Sequence, residues 1–248
     1  MNETHQTKGI IIGRRDYFEA DKILTVFTED FGKISIKARG VKKIMAKLAG
    51  HLELFNYVQL ELVQGKNFFI VTGAVQLADF SELKNDFSRI SLLYYWAELI
   101  NELSREHIKQ PEIMHCFVAF LEMLKRNMMP LAVLSALFEA QLTALSGHKP
   151  VMDACVACHN GLHPESIWFS FGKGGMLCAH CQKDDPFADS VSLNATKIMR
   201  LLFANDIVTL SQVQLPDYLV AEIQKLMGKN IEAITGREIK SKKLLVFA

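Results

Sequence analysis

Four cysteines in two closely spaced pairs constrain the fold of this chain more than any other feature of its sequence. Cys155 and Cys158 form one Cys-x-x-Cys pair, Cys178 and Cys181 form the other, and nineteen residues separate the two pairs. A two-residue spacing lets both thiolates of a turn face the same ion, and an intervening loop of about 15–20 residues is typical of a four-cysteine zinc site. The spacing therefore predicts that these cysteines hold one structural Zn²⁺ ion, with no open coordination position for catalysis.

Other uses of the cysteines are weaker interpretations of the same pattern. A dithiol redox centre uses a single pair beside a βαβ unit, and the sequence shows no such unit. The residues Cys155–His159 match a c-type haem attachment motif, but that interpretation leaves the second pair unexplained. Two disulfides would need an oxidising compartment. Within the zinc interpretation, replacement of one sulfur ligand by His159 or His180 stays open.

Composition and the polar N-terminus predict a cytoplasmic protein. Half of the 248 residues are hydrophobic, which is enough for one large domain or two modest ones. No apolar stretch reaches the roughly 18 residues of a membrane span. The polar residues 1–8 precede only the apolar run Ile10–Ile12, which is too short for a signal peptide. Thiols are reduced in the cytoplasm, and this again favours metal over disulfides.

The hydrophobic pattern changes from strand-like to helical near residue 80. Before this point, five short segments combine alternation or β-branched residues with turn signals, namely residues 9–12, 22–28, 33–38, 57–63 and 68–72. Beyond it, apolar residues recur at three- and four-residue spacing over residues 87–103, 111–124, 130–142, 193–203 and 217–234. We therefore expect the α+β class. Residues 1–80 would form a five-stranded OB-fold barrel, followed over residues 81–248 by an all-α domain with the zinc module inserted at about 151–186.

A cluster of basic residues is the second informative feature. Residues 31–52 contain no acidic residue, although the net charge of the whole chain is only +1. The basic residues of this segment are Lys33, Lys37, Arg39, Lys42, Lys43 and Lys47. Alternation along the predicted strand places the first three on one face, and the others follow in a loop. Because like charges repel, a polyanion such as DNA gives a reason to collect them, whereas the plain alternative is a solvated face.

Aromatic residues of the barrel segment are candidate platforms on which the bases of a single strand stack. They are Phe55, Tyr57, Phe68 and Phe69, although strand alternation buries some of them. Arg14 and Arg15 either extend the basic cluster or pair with nearby acids.

A succession of short motifs near the N-terminus resembles a known family. The motifs are Gly9–Ile12, Asp16–Ile23, Thr28–Lys33 and Lys37–Lys43. In this order they resemble the opening of the RecO family of bacterial recombination mediators and DNA repair proteins. The resemblance continues through the helical pattern and the paired cysteines to Gly236–Lys243, so it covers essentially the whole chain.

The resemblance implies an N-terminal OB-fold, a helical domain and a zinc module within that domain. It also implies a protein of the bacterial nucleoid that binds single- and double-stranded DNA and anneals complementary strands. With RecR, such proteins load RecA onto DNA coated by single-strand binding protein, whose acidic, hydrophobic C-terminal tail they contact through the helical domain. Lys37, Arg39, Lys42 and Lys43 match the family's basic segment and are expected DNA contacts, to which the strand face adds Lys33. The four cysteines match the family's metal ligands.

We expect no enzymatic activity. The glycine-rich stretch Gly172–Gly175 lacks the spacing of an ATP-binding P-loop, so annealing should not need ATP. Two alternatives stay open. One is a thiol redox enzyme or zinc hydrolase, which needs a reactive thiol or an open metal position. The other is an adaptor whose helical grooves bind partner peptides.

Overall fold

Five strands form a closed barrel in the computed structural model, which describes residues 3–164 and 166–246. The strands are β1 (Thr4–Tyr17), β2 (Asp21–Thr28), β3 (Gly32–Ala38), β4 (Tyr57–Gln64) and β5 (Phe69–Ala78). They are hydrogen-bonded in the order β1-β2-β3-β5-β4, and β4 pairs with β1 to close the ring. The β3–β5 pair is parallel and the other four pairs are antiparallel. This arrangement confirms the predicted OB-like barrel.

β1 is much longer than the apolar run that predicts it, because it pairs with two neighbours. Residues 4–10 pair with β4, and residues 9–17 pair with β2. The register against β2 shifts between Ile11 and Gly13, where a bulge bends the strand. β1 and β2 also approach closely before this bend, because a Cβ atom on Gly9 would lie 2.7 Å from a side-chain carbon of Val26. The polar ends of β1 are held by backbone hydrogen bonds. Because these bonds do not require apolar side chains, the hydrophobic pattern does not show the full length of the strand.

Alternate residues of all five strands fill the barrel interior, as the alternation predicts. Ile34, Ile36 and Ala38 of β3 point inward. The irregular connection between β3 and β4 adds Val41 and Leu52 to the same core. Twelve buried side chains form this cluster, so the barrel is stabilised by an apolar core of its own.

The barrel, two helices and a C-terminal segment form the first compact unit, which comprises residues up to Lys125 together with Lys240–Val246. The helices are α1 (Phe87–Leu103) and α2 (Pro111–Lys125), with short 3-10 helices at Ser81–Asn85 and Lys240–Leu244. Asp86 caps α1 by accepting a hydrogen bond from Arg89 N at 2.9 Å. Since α1 contacts β1 and α2 contacts β2, the helices cover part of the outer barrel face. The boundary predicted at residue 80 separates strands from helices, and as a domain boundary it stays a prediction. The ends of the predicted domains, residues 1–2 and 247–248, lie outside the described residues.

The second compact unit comprises Arg126–Ile239. Its helices are α3 (Leu131–Leu145), α4 (Ala179–Gln182), α5 (Leu193–Ala204), α6 (Ile207–Gln212) and α7 (Asp217–Thr235). α3 buries most of its residues and contacts both α5 and α7. The five predicted helices correspond to α1, α2, α3, α5 and α7, whereas the short α6, capped by Asp206, was not predicted. Within the described residues, no helix combines the length and the apolarity needed to cross a bilayer.

A small sheet in the second unit carries the cysteine pairs. Its strands are β6 (Ile167–Ser170), β7 (Gly175–Cys178) and β8 (Asp189–Ser190), in the order β7-β6-β8. Lys225 and Lys229 of α7 pair with the Asp189 carboxylate at 3.2 and 2.7 Å, which ties β8 to α7. β6 and β7 lie in the segment, residues 151–186, in which the cysteine spacing predicts a separate module, whereas β8 follows just after it.

Candidate metal centre and nucleic-acid surface

The four paired cysteines converge on one point in the second unit. Their Sγ atoms all lie within 4.8 Å of one another, and those of Cys158 and Cys178 are 3.8 Å apart. No other group of three or more cysteine, histidine or acidic side chains among the described residues is arranged to hold a metal ion. His159 and His180 are exposed and lie outside this group, so the structure does not support a histidine ligand.

Backbone hydrogen bonds bring the two pairs together. Cys178 ends β7, and Cys181 lies in α4, which begins immediately after it. The first pair is attached to β7 because Val156 N donates a hydrogen bond to Met176 O at 2.8 Å. Gly174 has φ +68° in the turn between β6 and β7, where a glycine lets the chain fold back without strain.

The surroundings of the thiols favour ionisation at the first cysteine of each pair. Burial raises the pKa of Cys155, but backbone N–H groups of Cys158, Cys178 and Ala157 outweigh burial and lower this pKa to about 6. The Cys181 N–H group likewise lowers the pKa of Cys178. By contrast, the interaction with the Cys158 thiol, burial and the remaining sulfurs raise the pKa of Cys181 to about 12. The Cys181 thiol therefore stays protonated near neutral pH unless a cation offsets the repulsion from the other sulfurs.

The cysteines pack against a small group of apolar side chains. The buried cluster consists of Cys155, Leu177 and Cys181, against which Trp168 is partly buried. The remaining cysteine, Cys116, lies in α2, and burial raises its pKa to about 12, so this thiol is a poor nucleophile. The arrangement can hold one metal ion, and four thiolate ligands would leave that ion no open position.

Lys33, one of the predicted DNA contacts, is buried. It is 8% exposed, and its ammonium group donates a hydrogen bond to Asn101 O at 2.5 Å. Burial lowers the pKa of Lys33, an effect that Glu106 and Glu102 partly offset. The residues after α1 cover the start of β3, where His107 N donates to Lys33 O at 3.0 Å. Alternation assigns Lys33 to the outer face but cannot show that this face is covered, and the buried ammonium group is not available to a phosphate.

Lys37 lies further along the same strand face, between an acid and two aromatic rings. Its ammonium nitrogen is 2.9 Å from the Asp21 carboxylate. The same nitrogen lies 4.8 Å from the ring centre of Tyr17 and 5.6 Å from that of Phe18, which is within the range of cation–π attraction. These three neighbours hold the charge of Lys37 in place at the edge of the β1–β2 turn.

The loop after β3 is attached to the same turn. Gly40 N donates to Asp21 Oδ1 at 2.8 Å, and Lys42 N donates to Ala20 O at 3.0 Å. The Gly40 N–H group and, next, the Lys37 ammonium lower the pKa of Asp21. The Asp21 carboxylate thus holds both the strand and the loop that carry the predicted basic residues.

The charges of this loop face solvent. Arg39 and Lys43 are exposed, and Lys42 is exposed although its ammonium pairs with Asp16 at 3.0 Å. Arg14 pairs with a glutamate of the β3–β4 connection, which corresponds to the second of its two predicted roles. We name Lys37, Arg39, Lys42 and Lys43 the basic surface.

The aromatic rings beside the basic surface are mostly not those that the sequence suggested. Phe55 is 1% exposed and packs edge-on against Tyr94 at 5.1 Å between ring centres, so it cannot stack with a base. The other predicted platforms are partly buried: Tyr57, Phe68 and Phe69. Sequence reasoning missed Tyr17 and Phe18, of which Phe18 is 75% exposed. A sequence signal for Phe18 does exist, because a bulky aromatic residue is unusual in a three-residue hairpin turn, where glycine or asparagine is common.

Two family models together match almost the whole chain. Residues 1–80 match the model described as Recombination protein O N terminal. Residues 84–243 match the model described as Recombination protein O C terminal. The first match covers the barrel, and the second covers the helices and the cysteine pairs.

Relatives named DNA repair protein RecO align over nearly the full chain. The protein of Halalkalibacterium halodurans is 29% identical over 241 residues, which cover 97% of this chain and 94% of the relative. That of Dehalococcoides mccartyi is 30% identical over 243 residues, with 97% and 95% covered. That of a Roseiflexus species is 32% identical over 240 residues, with 97% and 84% covered.

Proposed function

The chain belongs to the RecO family of DNA repair proteins, and on that premise we propose that it is a recombination mediator that binds DNA without chemical catalysis. It binds single- and double-stranded DNA and anneals complementary strands in the bacterial cytoplasm. With RecR, it promotes loading of RecA onto single strands coated by single-strand binding protein. The observation that carries the proposal is an exposed basic loop that lies beside the β1–β2 turn of an OB-like barrel. The loop between strands 1 and 2 of an OB-fold commonly takes part in binding oligonucleotides.

The basic surface binds DNA through phosphates. Each lysine or arginine that neutralises a phosphate releases a condensed counterion, which favours binding without regard to sequence. Arg39 and Lys43 are exposed, while Lys42 exchanges the Asp16 carboxylate for a phosphate oxygen. Two strands held on one positive surface repel each other less, so complementary bases meet more often. This step consumes no ATP.

The four cysteines hold a structural Zn²⁺ ion. A tetrahedral site with Zn–S bonds of about 2.3 Å separates its sulfurs by about 3.8 Å, which agrees with the 3.8 Å between the Cys158 and Cys178 Sγ atoms. Bound zinc would cross-link the two pairs and neutralise thiolate charge. The closed ligand set argues against a zinc hydrolase, and the raised pKa of Cys116 argues against that thiol in redox catalysis.

Contact with the tail of single-strand binding protein belongs to the second unit. The apolar packing of α3, α5 and α7 supports this part of the proposal, because a hydrophobic tail end suits such side chains. The apolar residues between these helices include Ala132, Val133, Ile198, Leu202, Val220 and Ile223. Most of them are buried, so the tail would bind there only if the helices open. A pure adaptor would bind peptides in the same way without binding DNA, so DNA annealing separates the two functions.

Annealing of two complementary oligonucleotides, one of them fluorescently labelled, tests the proposal. Wild-type protein should accelerate pairing equally with and without ATP. Arg39→Gln combined with Lys43→Gln should weaken single-strand binding about tenfold at moderate salt. It should also flatten the slope of log affinity against log salt by about 1.4, because each lost phosphate contact on a single strand removes about 0.7.

The matched control removes the same charge elsewhere. Lys149 and Lys197 are exposed in the second unit, and Lys149→Gln with Lys197→Gln should leave the affinity and the salt slope unchanged. Equal losses in both double variants would mean that net charge alone drives binding. If the wild-type protein neither binds nor anneals DNA, the proposed function is wrong and the adaptor function is favoured.

A further inference from the structure

One exposed aromatic ring and two partly buried ones form a cluster where two turns of the barrel meet. Phe18 belongs to the turn between β1 and β2, and Phe68 lies in the turn before β5. The ring centre of Tyr17 is 4.4 Å from that of Phe18 and 6.3 Å from that of Phe68, and both pairs are edge-on. Because Phe18 is 75% exposed, one large apolar ring faces water.

The contacts of Phe18 with Tyr17 and Lys37 give only a small reason for a phenylalanine at this position. Its φ is +54°, in the left-handed region that glycine or asparagine occupies at little cost and a bulky side chain only with strain. The exposed ring also gains little from burial in the folded state. A strained residue that adds little packing indicates a contact outside the chain.

Positive charge around the rings selects the kind of ligand. The Lys37 ammonium lies beside Tyr17 and Phe18, and a hydrogen bond from Lys42 N to Ala20 O attaches the basic loop to the same turn. A nucleotide offers a flat base next to a phosphate, which matches an exposed ring next to cations. The β1–β2 and β4–β5 turns also flank the surface on which OB-folds bind oligonucleotides.

We propose that Phe18, supported by Tyr17 and Phe68, is a stacking site for an unpaired base of single-stranded DNA. The basic surface binds the phosphates of either DNA form, whereas the rings contact only a base that is free of a duplex stack. The rings therefore set the preference for single strands. This inference rests on the proposed DNA binding by the barrel, and it adds the part of the nucleotide that is recognised.

Phe18→Asn tests the stacking site without loss of the turn, because asparagine adopts the left-handed conformation readily. Its melting temperature should equal or exceed that of the wild type. The probes are an oligo(dT) strand, an abasic strand of the same length and a duplex. Affinity for oligo(dT) should fall about fivefold to 150-fold, the equivalent of one lost stacking contact. Affinities for the abasic strand and the duplex, and the salt slope, should stay at wild-type values.

The matched control is Phe187→Asn, which removes a phenylalanine that is 86% exposed in the second unit and should leave all three affinities unchanged. The stacking site would be overturned if Phe18→Asn lowered the affinities for oligo(dT) and for the abasic strand equally. It would also be overturned if the variant lowered neither affinity. Wild-type protein that binds none of the three DNAs would overturn the proposed function itself. Weakened binding of an acidic, phenylalanine-containing peptide by Phe18→Asn, with DNA binding intact, would make the cluster a peptide site instead.

Discussion

The barrel and the cysteine module support their sites in opposite ways. In the barrel, twelve buried side chains form one core, and the basic and aromatic residues lie on turns fixed by backbone hydrogen bonds. In the module, the cluster around the thiols has three buried residues, of which two are cysteines. Its strands β6 and β7 have only four residues each, and they bury Ile167, Phe169, Met176 and Leu177. We therefore expect the barrel to keep its surface without an ion and the module to depend on its proposed metal.

The comparison shows that the motif that is easiest to recognise in the sequence need not be the one that carries the function. The cysteine spacing is the clearest signal in the sequence, yet we expect the site that it marks to act on stability. The surface proposed to bind DNA combines residues of two separate segments, namely Phe18 from Asp16–Ile23 and the basic residues of Lys37–Lys43. Its chemistry depends on which charges and rings stay exposed once the chain has folded.

Removal of the proposed zinc ion should have the largest effect, confined to the second unit. Zinc binding contributes about 10–16 kcal/mol in zinc-finger peptides, whereas the net stability of a whole domain is about 5–15 kcal/mol. Cys155→Ser or Cys178→Ser should lose the metal, lower the melting temperature and increase amide exchange over β6 and β7. Affinity for DNA should stay at the wild-type value, because the barrel keeps its core.

Cys116→Ser is the matched control, since it removes a thiol outside the cluster and should keep one zinc per chain. A cysteine variant that lost zinc but kept its melting temperature would show that the module is stable by itself. Loss of DNA binding together with zinc would show that the two regions are not independent.

Local sequence patterns predict elements better than they predict exposure. The apolar spacing predicts α1 with the bounds that the structure shows, Phe87–Leu103, and the cysteine spacing predicts a cluster that the fold assembles. Alternation also assigns Lys33 to the outer face of β3. Its burial, however, depends on Asn101, which is 68 positions away along the chain. The exposed ring of Phe18 is equally hidden in the sequence, because a turn pattern does not report which rings find neighbours.

Within the barrel, the variants Lys33→Ala and Arg39→Ala test whether a buried lysine and an exposed arginine have different roles. We expect smaller effects than for loss of zinc. Lys33→Ala leaves the Asn101 carbonyl without its ammonium donor and should destabilise the first unit by about 1–3 kcal/mol. Its salt slope for DNA should stay at the wild-type value. Arg39→Ala, at an exposed position, should change stability by less than about 0.5 kcal/mol and should flatten the single-strand slope by about 0.7.

Amide exchange in β3 during denaturation measures the stability of each variant. Salt titrations of DNA binding measure the slope. A flattened slope in Lys33→Ala would return Lys33 to the basic surface. A large stability loss in Arg39→Ala would mean that the loop supports the barrel core.

The smallest expected effect is the acid titration of Asp21, which reports how firmly the barrel holds its basic surface. The Gly40 N–H group and the Lys37 ammonium lower the pKa of this carboxyl below its usual value of 3.8. A lowered pKa in the folded state means that Asp21 stabilises the fold above the unfolded pKa, and that this contribution disappears as pH falls through the folded value. The amide proton shift of Gly40 should therefore titrate with a midpoint below 3.8, and Asp21→Asn should abolish the transition. A midpoint at or above 3.8 would mean that Lys37 and the loop are not held by Asp21 in solution. The turn that presents Phe18 would then be less fixed than the core beneath it.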